Sequence, residues 1–215
     1  MNRKSSDTPY KTIKKNILEG TYAPSQRLIE QELAQELSVG RQNIRAALNQ
    51  LQNEGLVVIE PYRGAKVATL SLEETLDAMT ARTILESALI RYAAANITDE
   101  SLQVLAKCLE GIKSALDENN LEEYTRQNTL FDETIYEAAG NKTVPLLIKQ
   151  VKTRIARLQL RTILLPGRKT DSLKEHQAIY NALKNHDQDA AEVAVTAHLK
   201  SITQTFESVW GLLRL

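Results

Sequence analysis

The first 70 residues constrain the fold most, because their pattern predicts three amphipathic helices followed by a β-hairpin. The first predicted helix starts at Thr8-Pro9, a capping residue followed by a proline at the first helical position, and it ends at Gly20. A second helix around residues 33–37 and a short turn at 38–40 follow. The third helix, 41–54, carries apolar residues at i, i+3, i+4 and i+7: Ile44, Ala47, Leu48 and Leu51.

A turn and two β-rich runs complete this module. Gly55 is placed as the left-handed cap of the third helix. Residues 56–59 and 65–68 then read as two short strands, and the Pro- and Gly-containing segment 60–64 joins them as a hairpin. Three helices with a tight turn between the second and third, followed by a hairpin, are the order of a winged helix-turn-helix.

Composition places the chain among ordinary globular proteins. Of its 215 residues, 42% are hydrophobic and 25% are charged, which excludes disordered and collagen-like chains. Apolar runs such as 56–59 are far shorter than the roughly 18 residues of a membrane span, and the N-terminus lacks the apolar segment of a secretory signal. The single cysteine, Cys108, cannot form an internal disulfide and fits a reducing compartment. We therefore expect a cytoplasmic protein with no membrane contact.

The two halves of the chain differ in charge and in pattern. Residues 1–70, the predicted first domain, carry 10 Lys and Arg against 7 Asp and Glu, whereas the rest carries 17 against 20. A mildly basic module suits a polyanionic partner. From Ser71, which begins a capping box with Glu74, the pattern becomes almost wholly helical. We predict an all-α antiparallel bundle at 71–215, with helices near 71–95, 98–116, 119–139, 143–164, 171–185 and 187–212.

The polar face of the third predicted helix carries side chains that hydrogen-bond base edges or phosphates: Arg41, Gln42, Asn43, Arg45 and Asn49. Arginine binds guanine bidentately, and glutamine or asparagine binds adenine. A recognition helix enters the major groove by its N-terminal end, where these residues cluster. Arg63, beside Gly64 at the hairpin tip, is placed to reach the minor groove or a phosphate. Any amphipathic surface helix shows a polar face, so the order of the surrounding elements favours DNA binding.

The helical half contains a set of potential metal ligands. His176 and His198 share helix faces with apolar residues and therefore point into the bundle. Asn128 and Asp132 are i,i+4 neighbours on another helix, and facing helices of a bundle commonly build ligand sites in this way. Two imidazoles, a carboxylate and an amide oxygen suit Zn, Ni, Mn or Fe. The same spacing is compatible with histidines satisfied in the core and with solvated Asn128 and Asp132.

The first module resembles the DNA-binding domain of GntR-type regulators over about 60 residues. The similarity lies in these segments: 17–24, Arg27-Leu28, 32–34, 39–48, 51–57, Arg63-Gly64 and Val67. The resemblance implies that Arg41 and Arg45 read the operator and that Gly64 enters the minor groove. Three residues depart from the family pattern. Ser25 stands where Gly is usual, Gly40 where Ser or Thr is usual, and Asn43 where Pro is usual.

Residues 71–212 resemble the FCD effector domain of the FadR subfamily. Segment 128–132 is similar to the family's Asp-x-x-Phe-His motif, and Glu175-His176 and His198-Leu199 match its later histidines. In metal-binding members the ligands are one Asp or Asn and three His, so the implied divalent-metal ligands here are Asn128, Asp132, His176 and His198. The resemblance further implies that Arg82 faces an effector cavity and pairs with a carboxylate. Arg161 is a second, weaker candidate.

These observations predict a ligand-responsive transcriptional regulator and not an enzyme. Two identical winged domains imply a homodimer on a pseudo-palindromic DNA operator, and we expect a repressor rather than an activator. A small carboxylic acid, with a divalent metal, is expected to change the placement of the winged domains. One alternative is a metal-free cavity for a larger acid or acyl-CoA. A metal-dependent enzyme is a remote alternative, because no motif supplies the acid or base that such catalysis needs.

Overall fold

The computed structural model describes residues 4–163 and 165–213. The first three residues, residue 164 and the last two, which the predicted domains include, lie outside the described residues. The described part is mostly helical, with a small sheet near its beginning. The predicted fold class, a winged helix-turn-helix followed by an antiparallel helical bundle, is confirmed.

Three helices and three short strands form the first part of the chain. These are α1 (Lys4–Glu19), β1 (Arg27–Leu28), α2 (Glu30–Glu36), α3 (Arg41–Asn53), β2 (Val57–Glu60) and β3 (Gly64–Val67). The middle strand of the sheet is β3, which pairs antiparallel with both β1 and β2. The hairpin register sets Val57 opposite Val67 and Glu60 opposite Gly64.

The structure corrects two predictions in this part. The first helix begins at Lys4 and not at Thr8, so Pro9 lies inside it. Proline inside a helix removes one backbone hydrogen bond and its ring crowds the carbonyl four residues earlier, which is why the pattern favoured a helix start at Thr8. Strand β1 was not predicted, because two residues are too few to show an alternating pattern. Its ladder is extended by the N–H of Val67, which donates to Gln26 O at 2.9 Å.

The start and end of α3 follow from its sequence. Gly40 precedes it in an extended conformation (φ −69°, ψ 146°) without a side-chain cap. At the other end Gly55 has φ +74°, as a left-handed cap requires. The N–H of Gly55 donates to Gln52 O at 2.9 Å, and the N–H of Leu56 donates to Leu51 O at 3.0 Å. This Schellman arrangement satisfies carbonyls that the helix end leaves free.

Six helices form the second part of the described chain, as predicted. They are α4 (Leu72–Asn96), α5 (Asp99–Asp117), α6 (Leu121–Ala138), α7 (Val144–Ile163), α8 (Arg168–Lys184) and α9 (Gln188–Leu213). The capping box at the start of α4 is present: Ser71 Oγ accepts from Glu74 N at 3.0 Å, and Glu74 Oε2 accepts from Ser71 N at 2.7 Å. Helix α8 begins three residues before the predicted position, directly after Gly167 in the left-handed region.

Each part buries its own apolar core. In the first part, the apolar stripe of α3 packs with residues of α1 and the sheet, among them Ile13 and Val67. In the second part a larger core runs through all six helices and includes Phe131, Phe206 and Cys108. Burial raises the pKa of the Cys108 thiol, which therefore has the character of an inert core residue. Among the described residues, no helix has the length and apolar content needed to cross a membrane.

The two parts pack against each other through α7. Helix α1 lies against α7, and a Cβ placed on Gly20 would lie 3.7 Å from Arg157 Nη2. The contact is closer at the end of α3, where a Cβ on Gly55 would lie 2.8 Å from Arg154 Cγ. The stem of Arg154 therefore rests on the glycine that ends the candidate recognition helix.

Candidate DNA-binding surface and effector cavity

Helix α3 separates a buried apolar face from an exposed polar one. Arg41, Gln42, Arg45 and Asn49 are exposed, while the four predicted apolar residues are buried. Asn43 is half-buried and has its own interaction in the folded chain. Four of the five side chains that were predicted to contact DNA on this helix are therefore presented to solvent.

Arg45 is held by a carboxylate of the neighbouring helix. Its Nε lies 3.1 Å from Glu30 Oε1, and its Nη2 lies 2.9 Å from Glu30 Oε2, which is a bidentate pair. The hydrogen bond from Arg45 lowers the pKa of Glu30 below its ordinary value. Glu30 thus competes with DNA for an arginine that the resemblance places on the operator.

The hairpin presents a second polar surface. Arg63 and Gly64 are exposed at its tip, as predicted, and Gly64 has φ +81° with no atom within 4 Å of an added Cβ. Tyr62, which received no role from the sequence, is also exposed there with φ +62°. The strands behind the tip are joined by an ion pair between Lys66 Nζ and Glu60 Oε1 at 2.6 Å.

A cavity of about 800 Å³ opens in the helical part, lined by residues of α4, α6, α7, α8 and α9. Its volume lies within the range of small-molecule sites, roughly 300–1,000 Å³. Leu18 of α1 also lines it. All but one of the residues predicted for the metal and the effector line this cavity. Those that do are Asn128, Asp132, His176, His198 and Arg82.

The exception is Arg161, the second residue predicted for the effector. The lining residues of α7 near it include Ala156, Leu160 and Ile163, and Arg161 is not among them. It lies near Arg157 instead: burial first, and then the charge of Arg161, lower the pKa of Arg157. A helix turns about 100° per residue, so a position next to a lining residue can face elsewhere.

The two histidines lie next to each other, each anchored through Nδ1. Their ring centroids are 4.9 Å apart. The Nδ1 of His176 lies 2.6 Å from the carbonyl of Ser172, and the Nδ1 of His198 lies 2.7 Å from Glu175 Oε2. Burial, and then the charge of His198, lower the pKa of His176 to about 4. Anchoring one ring nitrogen leaves Nε2 as the nitrogen available to a ligand, as in metal-binding histidines.

The oxygen donors are arranged differently. Asn128 donates from Nδ2 to the carbonyl of Tyr124 at 2.7 Å, and the carboxylate of Asp132 forms an ion pair with Lys152 of α7. Burial would raise the pKa of Asp132, but the charges of Lys152 and His176 hold it below its ordinary value. Within the described residues, no three His, Cys, Asp or Glu side chains are grouped so as to hold a metal ion. The carboxylate of the predicted divalent-metal set is therefore already paired with an ammonium.

Two polar atoms beside this set have no partner. Arg82 is 2% exposed and donates from Nε to Glu86 Oε1 at 2.6 Å, while its Nη1 is buried without a hydrogen bond. The buried hydroxyl of Tyr136 also makes no hydrogen bond of normal geometry, but burial and then the nearby charges of Glu86 and Asp132 raise its pKa well above the ordinary value. Buried donors without acceptors are costly, and Arg82 and Tyr136 both line the cavity.

The sequence reasoning missed Lys152 and Tyr136. A signal for Tyr136 existed, since it follows Asp132 by four residues and Asn128 by eight and therefore continues the same face of α6. Lys152 lies four residues before Ala156 on α7, but this spacing is informative only once the structure shows that Ala156 lines the cavity.

Comparison with known proteins decides the family. Residues 6–67 match the bacterial regulatory proteins of the gntR family, and residues 77–201 match the FCD domain. The chain belongs to the GntR family and carries an FCD domain. Its curated relatives are transcriptional regulators and not enzymes, so this GntR protein is a DNA-binding transcriptional regulator.

Individual relatives support the assignment over most of the chain. The HTH-type transcriptional repressor NanR of Klebsiella aerogenes is 31% identical, over 89% of this chain and 79% of its own length. The HTH-type transcriptional repressor RspR of Escherichia coli K12 is 26% identical, covering 93% of this chain and 88% of the relative. Among solved structures, E. coli McbR/YncC has the same fold with a TM-score of 0.79 at 20% identity, over 94% and 97% of the two chains.

Proposed function

We propose that this GntR regulator is a cytoplasmic repressor that binds a pseudo-palindromic operator as a homodimer and responds to an organic acid. The observation that carries the response is that Leu18, a residue of the first winged-domain helix, lines the same cavity as Arg82. A ligand in that cavity contacts both parts of the chain at once. It therefore favours one placement of the winged domain and changes operator affinity by linkage.

Repression is supported by the names of the relatives, two of which are transcriptional repressors. The nature of the effector is supported by Arg82, a residue of the cavity wall whose buried Nη1 has no hydrogen-bond partner. Guanidinium groups pair preferentially with carboxylates and phosphates. The volume of about 800 Å³ admits acids larger than two or three carbons.

The homodimer is supported by apolar side chains that remain exposed on two helices packed against each other. Ile84 and Tyr92 of α4 and Val193 of α9 are exposed. A second copy would cover this face, and an isologous contact would give the two-fold symmetry of a palindromic operator. Sedimentation velocity tests this: we expect a dimer for the unmodified protein and a monomer for an Ile84→Glu, Val193→Lys variant.

The DNA contact is tested with an operator obtained by in vitro selection on the full-length protein. Arg41→Ala is expected to weaken operator binding by about 5- to 150-fold and to relax specificity at one base pair. Asn53→Ala, an exposed polar residue near the other end of α3, is the matched control and should change affinity less than threefold. Equal affinities of Arg41→Ala and the unmodified protein in fluorescence anisotropy would refute the assignment of α3.

A further inference from the structure

Lys152 pairs with the carboxylate that the predicted metal site needs for its divalent ion. Its ammonium forms an ion pair with Asp132, the carboxylate among the four predicted ligands. Asp132 also interacts electrostatically with His176 and Arg82, so these groups surround one carboxylate. A divalent ion bound by Asp132 would either displace the ammonium or put two cations on one carboxylate. Displacing it leaves a partly buried charge without its partner, which is unfavourable.

The groups around Asp132 share one chemical property. An ammonium has three N–H donors and no acceptor, and the arginine group likewise only donates. In the described structure Lys152 donates to Asp132 and lies 5.8 Å from the Tyr136 ring centroid. Arg82 Nη1 and the Tyr136 hydroxyl are buried and unpartnered. This cluster therefore holds several donors together with two carboxylates, those of Asp132 and Glu86. A carboxylate ligand supplies acceptors for the donor atoms that these two leave without a hydrogen bond.

We propose that the ammonium of Lys152 replaces the divalent metal in this cavity and, with Arg82 and Tyr136, binds the carboxylate of the effector. Asp132 holds Lys152 in place and partly offsets its charge. The effector class is a carboxylic acid recognised without a metal ion. This inference rests on the proposed function, since it takes the cavity to be the effector site.

The metal half of the proposal does not require the effector to be known. Untagged full-length protein, purified without chelator and dialysed against Ni²⁺, should hold less than about 0.2 equivalents of metal by elemental mass spectrometry. Lys152→Met releases the carboxylate of Asp132, which can then turn toward the two histidines, and this variant should take up about one equivalent of Ni²⁺. Adding His176→Ala to that variant should abolish the uptake. One equivalent in the unmodified protein, or no uptake by Lys152→Met, overturns this half.

The carboxylate half is tested by thermal unfolding and calorimetry with acetate, propionate, octanoate and gluconate, each against chloride at equal ionic strength. The carboxylates should raise the melting temperature of the unmodified protein, and the order within the series distinguishes apolar from hydroxylated acids. Lys152→Met should weaken binding about tenfold or more, and Tyr136→Phe about fivefold. Lys113→Met removes an exposed charge of α5, outside the residues that line the cavity, and should change binding less than threefold.

Asp132→Asn is expected to change carboxylate binding in the opposite direction from Lys152→Met. Removing the carboxylate leaves Lys152 without its anion, so carboxylates should bind more tightly, whereas loss of a merely structural residue would weaken binding. Circular dichroism confirms folding of each variant, and Lys152→Arg, which keeps the charge, should bind within about threefold of the unmodified protein. No thermal shift with any of the four acids, or equal losses in Lys152→Met and Lys113→Met, overturns this half. Carboxylate binding that leaves operator affinity unchanged would instead contradict the proposed function.

Discussion

The contact between Gly55 and Arg154 allows the packing of the two domains to be measured. Substituting Gly55 with alanine has two separable effects. The backbone is left-handed at φ +74°, where an L side chain costs about 1 to 2 kcal/mol. The added Cβ would also lie 2.8 Å from Cγ and 3.2 Å from Cδ of Arg154, so the stem of that arginine must move. Arg154 is exposed and free to turn aside, which sets this second effect at about 1 kcal/mol.

Gly64 is the matched control, because it has φ +81° in the same domain and no atom within 4 Å of an added Cβ. In urea denaturation, Gly64→Ala should cost about 1 to 2 kcal/mol and Gly55→Ala about 2 to 3 kcal/mol. In an Arg154→Ala background, Gly55→Ala should cost only as much as Gly64→Ala. A coupling energy between Gly55 and Arg154 below about 0.3 kcal/mol would refute the reasoning, since the two domains would then not meet at this point.

Three further predictions concern single interactions. Glu30→Gln should strengthen operator binding by about two- to fivefold in fluorescence anisotropy, because Arg45 loses an exposed partner that competes with DNA; unchanged or weaker binding contradicts this. Ser71→Ala should lower the free energy of unfolding by about 1 kcal/mol through loss of the cap of α4, measured by urea denaturation. Lowering the pH from 7 to 5 should cost about 2 kcal/mol at His176, whose pKa is about 4 when folded and about 6.5 when unfolded. The unfolded chain takes up the proton first, so stability falls with pH across that window. His176→Gln should remove this part of the slope.

Local patterns were sufficient for most of the fold. The apolar stripe of α3 and the glycine that follows it predicted both the helix and its end, because helix periodicity and left-handed caps are properties of neighbouring residues. The helix breaks of the second part were located in the same way. The start of α1 was predicted wrongly, because Thr8-Pro9 has the pattern of a helix start although the helix begins at Lys4.

The cavity was only partly predictable, because its chemistry depends on pairs between helices. The spacing of apolar and polar residues along each helix predicted that His176 and Asp132 face the same interior region, and both line the cavity. It did not indicate that Asp132 pairs with Lys152, which lies 20 residues away on another helix. Arg161 failed for the opposite reason: its charge was attractive for an effector, but its position on α7 does not reach the cavity lining.

Helix α7 is both a wall of the cavity and the surface on which Gly20 and Gly55 rest. A biosensor made by joining the winged domain of this protein to the bundle of another regulator would therefore need more than a suitable fusion point between the two domains. The graft would have to carry Arg154 and Arg157, or the incoming helix would have to be redesigned to match the glycines. Engineering a new ligand preference at Ala156 or Leu160 would likewise alter a helix that also touches the DNA-binding module. In the proposed mechanism, selectivity for the effector and control of operator binding are therefore coupled through α7.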